Sequence, residues 1–384
     1  MRQVYFDNAA TTQMRDKVVE AMTEVLKNNF GNPSSTHSFG RHSKALIEQS
    51  RKTVAKCLNC SASEIIFTSG GTEADNLVLR SAVRDLGVKH IISSKIEHHA
   101  VLHTLDQLAE EYDLTISYVN LDPHGDIDYL HLETLLQTDK PTLVSLMHVN
   151  NEIGTILDLK KVAELCKTFS AFLHSDAVQS IGHYPLDLQE TPVDFLAASA
   201  HKFHGPKGVG FAFVRKNTGL KPLIFGGEQE RGLRAGTECT HNIVGLASAL
   251  ELSSNNFETE YQSVKELKAY FIRSLKDALP EVKFNGYSGD LEKSTYTLVN
   301  VCLPVSAQKG GMLLFQLDLK GIACSKGSAC QSGSNQNSHV LNEILNDAEL
   351  QKPSVRFSFS IFNSKAEVDY VVSVLKENIL SQVS

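Results

Sequence analysis

No apolar run in the sequence approaches the ~20 residues that a membrane-spanning helix requires. The opening MRQVYFDNAATT lacks the apolar segment of a secretory leader. Positive charge is also short: 37 Lys and Arg stand against 44 Asp and Glu, a net charge of −7. General nucleic-acid binding favours the opposite balance. Seven cysteines in 384 residues are too few for a disulfide scaffold. Their odd number, without a leader, fits a reducing cytoplasm. Cys57 and Cys60 form a CxxC in KCLNCSAS, but no second CxxC completes a zinc site, and a redox role has little behind it. The histidines lack HExxH or similar spacing, so no metal is expected. Neither a Walker A loop nor GxGxxG is present, which leaves ATP and NAD poorly supported. There is no internal repeat. With 42% hydrophobic and 21% charged residues, what remains is a soluble globular protein of one large domain or two ordinary ones.

What is there alternates. Short β-rich runs occur at EIIFTS (64–69), KHIISS (89–94), LTISYV (114–119), TLVSLMH (142–148), AFLHSD (171–176), VDFLAAS (193–199) and VGFAFV (209–214). Helical spacing appears between several of them, over 72–86, 97–112 and 158–170. Strands alternating with helices predict an α/β fold with a mostly parallel sheet covered on both faces. A long helical stretch, 241–279, stops at Pro280. After it come expected strands near 282–287, 295–303 and 354–360, and helices near 308–320, 338–348 and 365–380, which read as a smaller α/β unit. The Gly/Ser/Asn-rich stretch 325–338 lacks a packing pattern and is expected to be a mobile loop. Within it, CSKGSACQSGSN places Cys330 where a thiol can hardly bury itself, although unpaired cysteines are usually buried.

In such sheets ligands bind beyond the carboxyl ends of the strands, and five of those loops carry chemistry. TSGGTEADN sets Gly70, Gly71 and Thr72 at a helix start, where backbone N–H groups and the dipole favour an anion. SKIEHHAVL offers His98, and MHVNNEIG offers Asn150 and Asn151. LHSDAVQS offers Asp176 and Gln179, and ASAHKFHGPKG offers Lys202 between small residues and histidines. Each has an ordinary alternative: a tight turn, an N-cap, a solvated imidazole, an exposed lysine. A lysine held in such a loop can have its pKa lowered and become a Schiff-base amine. Together, an anion cradle, an imidazole, an amide, a carboxylate and a lysine match what pyridoxal 5′-phosphate (PLP) requires. The cradle takes the phosphate, the lysine holds the cofactor, and the carboxylate keeps the pyridine nitrogen protonated.

Through YFDNAATT, FGNPSSTHSFG, FTSGGTEADN, EHHAVL, HVNNEIG, HSDAVQS, SAHKFHGPKG, ERGLRAGT, GSAC and SVRFSFS, essentially the whole chain resembles the cysteine desulfurases of the NifS/IscS group. These belong to the aminotransferase class V family of fold-type I PLP enzymes. The resemblance implies a large cofactor domain of residues 16–250 with a seven-stranded sheet. It implies a small α/β domain of residues 1–15 and 251–384 that carries the cysteine loop. It implies Lys202 as the cofactor lysine, His98 stacked on the ring and able to handle protons, Asp176 on the ring nitrogen and Gln179 on the ring hydroxyl. Gly71, Thr72, Ser199 and His201 would hold the phosphate. Thr237 would reach the phosphate of a neighbouring subunit in an obligate homodimer. Asn151 and Arg356 would hold the substrate carboxylate, a task that suits the planar guanidinium.

The implied reaction converts L-cysteine to L-alanine and leaves a persulfide on Cys330, whose thiolate is the nucleophile. The sulfur would pass to an acceptor such as an iron–sulfur scaffold, or into tRNA thiolation. The alternatives are a selenocysteine lyase or another class V aminotransferase or lyase, and, more remotely, a non-catalytic scaffold. Two departures from the group stand out: Ser360-Ile361 after the arginine strand, where a glycine and a second basic residue are frequent, and His99 where lysine is common. Cys166, Cys302 and Cys324 lie in helical or apolar strand contexts and are expected to be inert.

Overall fold

The computed structural model describes residues 2–306, 310, 312–326 and 338–380. After a two-residue strand β1 (Val4–Tyr5), the chain forms helices α1 (Asp16–Asn28) and α2 (Ser38–Cys57). It then alternates through β2 (Ile65–Thr68), α3 (Gly71–Asp85), β3 (His90–Ser93), α4 (His99–Glu111), β4 (Thr115–Tyr118), α5 (Tyr129–Leu136), β5 (Thr142–Ser145), α6 (Leu159–Thr168), β6 (Phe172–Asp176), β7 (Phe195–Ser199) and β8 (Gly210–Val214). The seven strands from β2 to β8 form one sheet in the order β2-β8-β7-β6-β5-β3-β4. Only β8 runs against its neighbours β2 and β7; the remaining pairs are parallel.

Six of the seven strands are buried along nearly their whole length, as a sheet covered on both faces demands. Successive side chains feed two different cores. Ile65, Phe67, Val144, Leu173 and Leu196 pack under α2, α6 and α7 (Thr240–Asn255), whereas Ile66, Ile91, Leu143 and Phe195 pack under α3 and α4. This layering brings the five chemistry-bearing loops to one edge of the sheet.

A separate core lies around β10 (Leu298–Cys302) and β12 (Ser354–Ser358), which pair antiparallel and, with β9 (Lys283–Phe284), form a three-stranded sheet. Phe6, from the segment after β1, packs edge-on against Phe271 and Phe359 in this core. The N-terminal segment therefore leaves the second core, passes the sheet edge as residues 7–12, and enters the first core at α1.

The helical stretch expected over 241–279 is two helices, α7 and α8 (Phe257–Ala278). Asn256 separates them with φ −109° and ψ 9°, and its amide nitrogen donates to the Leu252 carbonyl at 2.7 Å. Such local side-chain bonding competes with a continuing helix. The break is also where the chain changes core: Leu246 and Leu250 belong to the first, Leu267 and Phe271 to the second. Helices α1 and α2 and the two-residue strands β1 and β11 (Ile322–Ala323), which pair with each other, have no counterpart among the sequence expectations.

Candidate functional site

Strand β7 ends at Ser199 and runs into a tight turn, Ala200–Lys202. His204 holds a left-handed backbone, φ 66°, unusual for a side chain of this size. Its N–H donates to Thr12 Oγ1 at 2.7 Å and its Nδ1 lies 2.8 Å from the Gln13 carbonyl. These contacts tie the lysine turn to the N-terminal segment. Lys202 Nζ donates to the carbonyls of Ala9 and Ala10 at 2.6 and 2.9 Å. The Lys202 carbonyl accepts from His183 Nε2 at 2.9 Å, so both ends of the residue are fixed.

Asp176 is the last residue of β6 and is 5% exposed. Its Oδ1 accepts from the Val178 N–H at 2.9 Å. Burial raises its pKa to about 6, against the Val178 N–H and the Lys202 charge, which both favour the ionised form. One turn on, Gln179 Nε2 donates to the Ala9 carbonyl at 2.9 Å. His98 caps α4: its Nδ1 accepts from the Ala100 N–H at 3.1 Å. Burial, then the charges of Lys202, His339 and His103, lowers its pKa to about 4. His98 is therefore neutral at physiological pH, and with Nδ1 engaged as an acceptor the ring proton resides on Nε2.

The start of α3 forms a concave backbone surface. A Cβ on Gly71 would stand 2.5 Å from Cγ2 of Val178 and 3.8 Å from Cβ of Ser199, so only glycine allows this close approach. The first-turn N–H groups of a helix have no intrahelical partners and carry its positive end. Glu73 does not occupy that position: its carboxylate accepts from the Ser69 N–H at 2.8 Å and pairs with Arg234 at 2.8 Å. His201, with Nδ1 3.1 Å from Thr11 Oγ1, is kept neutral by burial, its pKa lowered to about 4.

These groups surround one cavity of about 220 Å³. Gly71, Thr72, Ser199 and His201 line one part of its wall, with Asp176, Gln179, His98 and Lys202. Asn151 and Arg356 also line it. Arg356 crosses from β12 in the second core and is 1% exposed. It donates from Nη1 to the Asn151 carbonyl at 2.8 Å and from Nη2 to Asp7 Oδ1 at 2.9 Å. Thr237 is exposed on the loop before α7 and does not line the cavity. Cys330 lies outside the described residues. Among the described residues no three His, Cys, Asp or Glu side chains are placed to hold a metal ion.

Sequence reasoning missed Ala9, Ala10, Asp75, Met147 and Val178, which also line the cavity, and Asp7. Ala9 and Ala10 act through backbone carbonyls, which no side-chain pattern reveals. Asp75 had a signal: it sits three residues after Thr72 in α3, on the same helical face.

Of the cysteines, Cys166 is buried in α6, and Cys302 is buried in β10. Burial, and then Asp7, pushes the half-buried Cys324 thiol up to about 12. Burial also raises Cys57, and Cys60 to about 12. None of these is a ready thiolate.

The donor set fits PLP. The glycine cradle at the head of α3 suits a phosphate dianion, the buried Asp176 suits a cationic ring nitrogen, and the Lys202 amine stands in the same cavity. Fold and site together define a fold-type I PLP-dependent enzyme.

Comparison with known proteins narrows this. The aminotransferase class-V family matches residues 4–371, and the chain belongs to that family. A cysteine desulfurase IscS of Dictyoglomus turgidum is 42% identical over 383 residues, covering 98% of this chain and 95% of that protein. Among solved structures, a NifS-like protein superposes with a TM-score of 0.90 at 35% identity, covering 99% of this chain and 100% of the other. A structure described as SspA in complex with cysteine superposes with a TM-score of 0.81 at 31% identity, covering 94% and 99%.

Proposed function

We infer that this chain is a cysteine desulfurase that removes sulfur from L-cysteine with PLP as cofactor, giving L-alanine. The observation that carries the reading is the convergence of Arg356, from the second core, on the cavity that holds Lys202 and Asp176. A carboxylate-binding guanidinium beside a PLP lysine describes a site for an α-amino acid. The 42% identity to a cysteine desulfurase over nearly the full chain, and the cysteine bound by a structural relative, support cysteine as that amino acid.

The placement of the individual residues around the cavity supports the following roles. Arg356 and Asn151 take the substrate carboxylate and thereby fix the orientation of Cα. Bound PLP supplies an electron sink for the bonds at Cα. Asp176 stays ionised against the ring nitrogen, the charge that its Val178 N–H and Lys202 favour. Gln179, whose amide is held by the Ala9 carbonyl, would meet the ring hydroxyl. Gly71, Thr72, Ser199 and His201 hold the phosphate. Lys202 Nζ, held at the cavity wall by the carbonyls of Ala9 and Ala10, binds the cofactor and moves a proton at Cα. His98, neutral and with its exchangeable proton on Nε2, would lie against the cofactor.

The thiolate of Cys330 attacks the substrate sulfur. The new S–S bond forms as the Cβ–S bond breaks, the bonding pair passes to Cβ, and proton return at Cβ and Cα completes alanine. Cys330 keeps the sulfur as a persulfide for an acceptor, with an iron–sulfur scaffold as the expected recipient. We further propose a homodimer in which Thr237 completes the partner's phosphate site, a cytoplasmic location, and a division into a domain of residues 16–250 and a domain of 1–15 with 251–384. The packing of Val4 and Phe6 into the second core supports that division. No helix among the described residues is long and apolar enough to cross a membrane.

The test is Cys330→Ser. The variant is expected to bind cysteine, seen as a change in cofactor absorbance, yet to form no alanine and carry no persulfide. Undiminished alanine formation in the variant removes Cys330 from the reaction. Full activity on selenocysteine after the same substitution makes the protein a selenocysteine lyase.

A further inference from the structure

Beneath Asp176 lies a second acid that the reading above does not use. Asp75, in the first turns of α3, lines the same cavity and is 1% exposed. Its Oδ1 stands 3.3 Å from Nε2 of His174, which is fully buried. Neither atom has a hydrogen-bond partner of ordinary geometry. His174 precedes Asp176 by two residues on β6, so both side chains leave the same face of the strand. On its other side the His174 ring is fixed by Ser145, whose Oγ is 2.9 Å from Nδ1.

The charges around this pair decide its protonation. Burial, and then repulsion from Asp176 and Glu97, 5% and 1% exposed, raises the pKa of Asp75 well above the usual carboxylate range. Burial raises Glu97 to about 8. It lowers His174 to about 3 and His148, from the loop beyond β5, to about 4, so neither supplies a positive charge. The charge of Lys202 favours ionisation of Asp176. Carboxyls crowded in a dry site do not all ionise; the proton stays on those with the least compensation.

We propose that Asp75 is a positioning residue: it keeps its proton, directs it to Nε2 of His174, and so leaves the negative charge on Asp176, the carboxylate that meets the cofactor's ring nitrogen. The 3.3 Å approach of Asp75 Oδ1 to His174 Nε2 lets a small turn of the carboxyl bring its proton onto Nε2, while His174 Nδ1–H faces Ser145 Oγ at 2.9 Å. His174 is thereby held as the neutral tautomer and cannot become an imidazolium that would compete with the cofactor for Asp176. The inference rests on Asp176 meeting the ring nitrogen.

The experiment is a visible-absorbance pH titration of the holoenzyme for the wild type, Asp75→Asn, Asp75→Leu and Asp176→Asn. Asparagine is neutral and still presents N–H donors to His174, so the spectral midpoint is expected to stay at the wild-type value. Leucine removes the donor and leaves His174 Nε2 bare, and the midpoint is expected to move by about one pH unit, with about a tenfold loss in kcat. Infrared difference spectra supply a readout independent of activity: Asp75→Asn is expected to lose a protonated-carboxyl stretch that the wild type shows at neutral pH. A shift of a unit or more in Asp75→Asn, or an unchanged carboxyl stretch, means that Asp75 is ionised and overturns the proposal. A wild-type midpoint in Asp75→Leu overturns it as well. If Asp75→Leu does not fold, the asparagine and infrared arms decide alone. Asp176→Asn separates the two levels of the argument. If it leaves the titration unchanged, the placement of Asp176 fails; if it alters the titration while the Asp75 variants behave contrary to expectation, only the role of Asp75 fails.

Discussion

Arg356 and Asp7 meet at 2.9 Å across nearly the full length of the chain. The pair ties the strand that presents the guanidinium to the N-terminal segment that supplies Ala9 and Ala10 to Lys202. It occupies one arm of the fork, and the Asn151 carbonyl takes the other. The guanidinium at the cavity wall is thus aimed in advance and has little freedom left to lose.

That arrangement predicts a separation of effects. Arg356→Ala is expected to raise KM for cysteine by about 10- to 100-fold, the loss of charged hydrogen bonds of about 1.5–3 kcal/mol. Asp7→Asn keeps an oxygen acceptor for Nη2 and is expected to change KM little, whereas Asp7→Ala releases the fork and raises KM with a smaller effect on kcat. Steady-state kinetics on the three variants check this. An unchanged KM in Asp7→Ala would show that Asp7 does not orient the arginine.

The cradle at the head of α3 allows a test by steric conflict and relief. Gly71→Ala places a methyl 2.5 Å from Val178 Cγ2, which pushes the turn after β6 away from the head of α3. PLP retention on dialysis is expected to fall, with activity recovered by added PLP. The double variant Gly71→Ala, Val178→Ala removes the obstructing methyl and is expected to recover part of the retention. If the double variant binds PLP no better than Gly71→Ala, the contact with Val178 is not what makes glycine necessary.

The cofactor-free protein is expected to lose stability at both ends of the pH range, for opposite reasons. Glu97 has a pKa raised by burial from 4.5 to about 8. The folded state therefore binds its proton more tightly than the unfolded state. That contribution is present in full below about 4.5 and is lost as pH rises through about 8. His98, His148 and His201 have values lowered from 6.5 to about 4. Their contribution is present above 6.5 and is lost as pH falls through about 4. Thermal melting across pH 4 to 9 checks the sign. Glu97→Gln, which keeps an oxygen for the Met147 N–H, is expected to flatten the alkaline limb and leave the acid limb in place. A wild-type alkaline slope in that variant would assign the slope to another group.

The sheet and most of the residues that line the cavity were legible in the sequence. Most strands of the sheet carry apolar residues on successive positions because a sheet covered on both faces needs apolar side chains in both directions, and that pattern is visible without coordinates. Gly71, His98, Asp176 and Lys202 were legible because each sits where such a run ends, and strand ends of this sheet type converge by topology. The rest depended on long-range packing. Helices α1 and α2 were not anticipated, and the stretch 241–279 broke at Asn256 because it serves two cores, a division that no local pattern encodes. Ala9 and Ala10 hold Lys202 through carbonyl oxygens that every residue carries, so their position distinguishes them and their identity does not. Asp7, Asp75 and His174 look like ordinary polar residues until burial removes water from around them. Only then does a carboxylate need a guanidinium from the other end of the chain, or an aspartic acid need to keep its proton.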